Sequence, residues 1–222
     1  MNNSYETKKG YILTIIGLVI MILMSMTKIV PSTFIAGYSV FIGIAFFFIV
    51  EAVENTTDGE SGLQFKTFLR DMKKPCVLPL VLLPIVTAIA TLVIGNLIFD
   101  DGFSTHVMAR TNSMLSFDKV QILVLQVIIA AFGEEIAWRG FFVGKGMKIY
   151  SFWVCAIVSS VLFAVGHISL GSFGLVFYDV ATIFIDSLIY AVIYKKSGNC
   201  LISTVAHILC NATGIAVTLI FT

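Results

Sequence analysis

Eight polar residues stand inside otherwise apolar stretches of this 222-residue chain: Glu134, Glu135, Arg139, His167, Asp179, Asp186, His207 and Asn211. An ionisable side chain at membrane depth costs about 2.5–3.5 kcal/mol on insertion scales, so each one needs a reason. Glu135 and Arg139 are spaced i, i+4 with the acid first, the favourable order for a helical ion pair. Glu134 points about 100° away around the same helix and has no local basic partner. Phe163 shares a face with His167, and His207 shares one with Asn211. A desolvated carboxylate without a cation beside it is a competent general base for water. His167 could share or relay that proton. His207 and Asn211, one turn apart, can both donate hydrogen bonds to an oxyanion forming on a carbonyl. The chemistry implied is hydrolysis of an amide by activated water, without a Ser or Cys nucleophile.

The elements that carry these residues are read from composition. Hydrophobic residues make up 58% of the chain and charged residues 12%, whereas a soluble domain is about 25% charged. Mean hydropathy is +0.99. These values exclude a disordered chain, a nucleic-acid binder and an ordinary soluble enzyme. At ~20 residues per crossing, the expected fold class is all-α, a polytopic transmembrane helical bundle in a single integral membrane domain over residues 1–222. Seven spans are expected, near 11–28, 33–53, 76–99, 119–143, 151–168, 173–194 and 200–221. Pro75, Pro79 and Pro84 predict a kink or late start in the third. With the N-terminus inside, cytoplasmic segments hold eleven basic residues, Arg139 among them, against three (Lys28, Arg110, Lys119) on the other face. That bias predicts N-in, C-out.

Residues 63–74 read as a short amphipathic helix on the inner membrane surface. Leu63, Phe65, Phe68, Leu69 and Met72 would face lipid, and Lys66, Arg70, Lys73 and Lys74 would reach anionic headgroups. Residues 100–118 read as an outer loop, with His106 a solvated surface residue. Cys76, Cys155, Cys200 and Cys210 form no CxxC pair and read as small buried core residues. The spans ending at Glu134 and His167 form a hairpin: a turn centred near Lys148–Ser151 would set the two residues level, and one centred near Gly146 would put His167 ~10 Å further out. His207 lies ~12 Å in from the boundary at Asn199. A cavity shared by three spans is geometrically possible.

At these residues the sequence resembles the CPBP/Abi family of intramembrane proteases, whose best-known members are type II CAAX prenyl endopeptidases. The EExxxR motif is Glu134-Glu135-Ile136-Ala137-Trp138-Arg139, FxxxH is Phe163 to His167, and HxxxN is His207 to Asn211. They occur in order and on separate spans. The resemblance covers residues 119–215, a catalytic core. Residues 1–118 would supply N-terminal spans and the inner-face helix. It implies that Glu134 and His167 activate water, that His207 and Asn211 stabilise the oxyanion, and that Glu135, Arg139 and Phe163 are supporting. No metal or other cofactor is implied. Asp179 and Asp186, at i, i+7, are not motif residues; a substrate amine, a water path or a pairing with Arg139 are all open for them. The implied partners are membrane lipids and a membrane-associated or lipidated peptide or protein substrate, with bacteriocin self-immunity or peptide-signal processing as roles; the short chain and the excess of Lys over Arg point to a bacterial plasma membrane. Two other readings compete. Glu134, His167 and His207 are also a zinc-hydrolase ligand set, with Glu135 as base, although no HExxH is present. The polar stripes could instead line an ion or peptide path, or belong to a non-enzymatic immunity protein.

Overall fold

A computed structural model describes residues 2–29, 37–55, 62–100 and 102–221. Among these residues helices are the regular structure and no strand occurs: α1 (Asn2–Met26), α2 (Tyr38–Glu54), α3 (Phe68–Met72), α4 (Val77–Phe99), α5 (Gly102–Asn112), α6 (Val120–Glu135), α7 (Phe152–Gly166), α8 (Phe173–Ser197) and α9 (Cys200–Phe221). A π-helical segment, Ile136–Lys145, continues α6 without a break. Five helices are long and apolar enough to cross a membrane, and α7 is apolar but shorter. Many large apolar side chains point outward, Leu23, Phe41, Leu97 and Ile129 among them. Such a surface is untenable in water and suits acyl chains. The chain is a multi-pass membrane protein.

Several boundaries differ from the sequence expectation. The first helix begins well before residue 11, and residues 33–36 of the second expected span lie outside the described residues. The fourth span changes from α to π at Ile136. In the third, α4 starts at Val77 behind Cys76 in the left-handed region, with Pro79 in its first turn and Pro84 inside. Cys76 is exposed, contrary to the buried reading that holds for the other three cysteines. It sits at a chain bend, outside any apolar packing.

Two interior clusters organise the bundle. One joins α1, α2, the π-helical segment and α7 around Met21, Phe47, Phe141 and Ala156. The other joins α4, α8 and α9 around Val81, Tyr190, Ile193 and Ala206. The first depends on a close helix approach: a Cβ at Gly43 would sit 2.6 Å from the Ala137 Cβ. At the end of α8, Gly198 has φ +73° and turns the chain directly into α9.

At the basic end of the bundle, residues 62–74 are tied to the α8–α9 turn. Cys200 donates its backbone N–H to Gly62 O (2.7 Å), and Asn199 donates to Gln64 O (2.7 Å) and Asp71 Oδ2 (3.2 Å). Lys74 pairs with Asp71 at 3.0 Å and also donates to Ser197 O. Burial disfavours the Asp71 charge, but hydrogen bonds from Thr67, Lys74 and Asn199, with the Lys74 charge, hold its carboxyl below the usual range. Only Phe68–Met72 of the expected amphipathic helix is helical. Phe65 and Leu69 are exposed, whereas Leu63, Phe68 and Met72 pack on the bundle. The segment is a plug tied under the α8–α9 turn, because Asn199 satisfies its backbone. Beside it, Lys145 is buried against Glu51 and Glu54.

At the opposite end, residues 102–112 form α5 rather than a loop. Asn96 fixes its start by donating to Ser104 Oγ (2.7 Å) and accepting from Ser104 N (2.9 Å). His106 is consequently buried, not solvated.

Candidate active site

Glu134 and Glu135 are neighbours in sequence and opposites in environment. The Glu135 side chain is 0% exposed, whereas that of Glu134 is 23% exposed. Arg139 donates from Nη1 to Glu135 Oε1 (2.9 Å) and from Nη2 to Ser187 Oγ (2.8 Å) and Ser187 O (2.9 Å). Its guanidinium lies 5.1 Å from the Phe163 ring and 5.1 Å from the Tyr190 ring. A charge so enclosed is tolerable because it is paired, hydrogen-bonded and stacked. The same enclosure removes Arg139 from the cytoplasmic charges with which the sequence had grouped it. The hydrogen-bond partners of Arg139 are Glu135 and Ser187, not Asp179 or Asp186.

Glu135 does more than neutralise Arg139. Its Oε1 also accepts from His207 Nδ1 at 3.0 Å. That bond fixes the His207 ring, which stacks on Tyr190 (centroids 4.7 Å apart, 21°). His207 Nε2 then faces Glu134 Oε2 at 3.6 Å. Glu134 therefore has a basic neighbour after all, contributed by α9, a helix that sequence spacing could not bring to it. With Nδ1 donating to a carboxylate, Nε2 of His207 donates only when the ring carries a second proton.

His167, the residue ending α7, lies with Nδ1 2.8 Å from Phe163 O. The carbonyl is the acceptor, so Nδ1 holds the hydrogen and Nε2 of the neutral ring is an acceptor. The Phe163 ring touches both imidazoles, with centroids 4.6 Å from His167 and 5.9 Å from His207. The FxxxH spacing thus has a local cause: the i−4 residue supplies both the carbonyl that orients the histidine and the ring that packs it.

One cavity of about 330 Å³ brings together Glu134, Phe163, His167, Asp179, Asp186, His207 and Asn211. A second, of about 420 Å³, lies on the other side of Glu134, Phe163 and His167, with Val40, Ile44 and Leu162 in its wall. Asp179 is buried against Arg110 (Nε to Oδ2 3.0 Å, Nη2 to Oδ1 3.1 Å) and His106 (Nε2 to Oδ2 3.3 Å). Asp186 accepts from Thr87 at Oδ1 (2.6 Å) and from Cys210 at Oδ2 (3.5 Å). The sequence reading did not place Arg110, His106 or Tyr190 in the site. The first two stood in an assumed loop. Tyr190 carried one signal, its position four residues beyond Asp186 on the same face. Among the described residues, no three His, Cys, Asp or Glu side chains converge as a metal-binding group. Glu134, His167 and His207 are not among such groups, although the Nδ1 bonds of His207 to Glu135 and of His167 to Phe163 leave each Nε2 free.

Residues 116–213 match the family model for type II CAAX prenyl endopeptidases of the Rce1-like kind. The matched segment, 98 of the 222 residues, is Rce1-like. The Rce1-like match takes in α6 through most of α9, hence every motif residue of the cavity, and it supports a CAAX-type intramembrane protease. Helices α1 to α5 lie outside it. Comparison with curated proteins and with solved structures yields no match.

Proposed function

We propose that this protein is an intramembrane endopeptidase in which Glu134 and His167 activate water and His207 with Asn211 stabilises the oxyanion. The observation that carries the reading is the position of Glu134: it is the partly exposed carboxylate of the EE pair, in one cavity with both imidazoles. Water held by Glu134 and by Nε2 of His167 attacks the scissile carbonyl carbon, and its proton passes to Glu134. The oxyanion accepts from the Asn211 amide and from protonated His207, whose imidazolium faces the Glu135 carboxylate. Collapse breaks the C–N bond, and Glu134 returns the proton to the leaving amine. Glu135, Arg139 and Phe163 hold the imidazoles in place. Asp179 and Asp186 line the substrate or water path.

In this reading the chain is one domain with seven spans, N-in and C-out, in a bacterial plasma membrane. Its partners are lipids and a membrane-associated or lipidated peptide, with self-immunity to a bacteriocin or processing of a peptide signal as its biological roles. The test is peptide mass spectrometry of membranes holding wild-type or Glu134→Gln protein. Glu134-dependent cleavage that survives chelation supports the mechanism. Normal cleavage by the purified variant refutes it, and loss of activity on chelation, restored by zinc, would point to metal chemistry instead.

A further inference from the structure

The cavity has a direction. Along α9, its wall runs from His207 to Ile215, ~12 Å of helix leading away from the Lys195–Lys196 end. On α8, it runs from Tyr190 back to Asp179, ~16 Å in the same sense. Arg110 and Thr111 of α5 and Met114 beyond it complete the far end, and Met114 borders both cavities. The second cavity reaches the same end of the bundle, at Lys28 and Gly37, where α1 finishes and α2 starts.

Among the described residues, neither cavity is lined by the 62–74 segment or by the α8–α9 turn at the basic end. Directly beyond the Glu134–His207 level lie Glu135, Arg139, Ile193, Ile202 and Ser203, all fully buried. Beyond them Asn199, Asp71 and Lys74 tie the 62–74 plug across the α8–α9 turn. That end carries Lys73, Lys74, Lys145, Lys148, Lys195 and Lys196; the other carries Lys28, Arg110 and Lys119. Basic residues mark the cytoplasmic side of a multi-pass protein.

We propose that substrates reach Glu134 from the non-cytoplasmic face, so that the enzyme acts on exported or outer-face polypeptides rather than on cytoplasmic ones. The proposal rests on the protease reading above for its substrate class, but its geometry is independent of catalysis. The α5 helix and Met114 stand at the entrance. A polypeptide entering there can lie along the two cavities, which meet at Glu134 and His167.

Two measurements test the proposal. Cys76, exposed at the basic end, is a native reporter for that face, and Met114→Cys in a Cys76→Ser background reports the entrance. Intact cells are treated with a membrane-impermeant maleimide before and after permeabilisation. The expected result is labelling of Met114→Cys in intact cells and of Cys76 only after permeabilisation. The reverse pattern overturns the proposal. Peptides that change between wild-type and Glu134→Gln cells are then assigned to exported or cytoplasmic parent proteins. Changes confined to cytoplasmic parents overturn the proposal as well. Outward labelling with no Glu134-dependent peptide anywhere refutes the protease reading while leaving the outward cleft standing.

Discussion

Replacing Arg139 by Met should destabilise the bundle by about 3–5 kcal/mol, the cost of leaving one partner of a buried ion pair uncompensated. Arg139 and Glu135 are both 0% exposed. With the guanidinium gone, the Glu135 carboxylate loses its cation while keeping the His207 contact, and Ser187 loses two hydrogen bonds. The Phe163 and Tyr190 rings lose the cation packed between them. Glu135→Gln alone strands the guanidinium in the same way. Removing both charges should cost less than the two single changes together, by roughly 0.5–3 kcal/mol, the usual range for coupled neighbours. The assay is reversible unfolding in mixed micelles, followed by tryptophan fluorescence, with Trp138 of the core cluster as reporter. Activity separates the roles: the double variant regains stability but not turnover, because His207 has lost its carboxylate anchor. An Arg139→Met protein unfolding within about 0.5 kcal/mol of wild type, the range of an ordinary surface change, would refute the account.

Asn211→Ala should lower kcat by about 10²–10³, the usual loss for one oxyanion donor, with the unfolding midpoint unchanged; steady-state kinetics on a cleaved peptide checks it. The Asp71 carboxyl, depressed in the folded state, contributes stability that is present above its ordinary value of 3.8 and is lost as pH falls through the lower folded value. Thermal unfolding of wild type should therefore weaken on acidification below pH 4, while Asp71→Asn starts weaker and shows a flatter dependence.

The sequence made the chemistry legible because helical spacing alone pairs Glu135 with Arg139, Phe163 with His167 and His207 with Asn211. Spacing within one helix says nothing about which helices meet, so the contact of His207 with both glutamates was invisible, and Glu135 looked merely structural. Residues 100–118 were polar enough to resemble a loop, yet Asn96 and Ser104 cap a helix there, and the burial of His106 follows from that. The inner-face segment misled in a different way. Its apolar residues were assigned to lipid, but Asn199 and Asp71 bind it to the protein, turning three of the five toward the bundle. The π-helical turn after Glu135 leaves no hydrophobic period distinct from that of an α-helix buried on every side.

Phe163 imposes a constraint of its own. Two imidazoles and a guanidinium rest against one benzene ring, so none can drift without disturbing the others. Alignment of the reactive groups and burial of the structural charge are in this way a single mechanical fact. Aliphatic side chains of similar bulk would fill the volume yet offer no flat face, and the three groups would lose registration together.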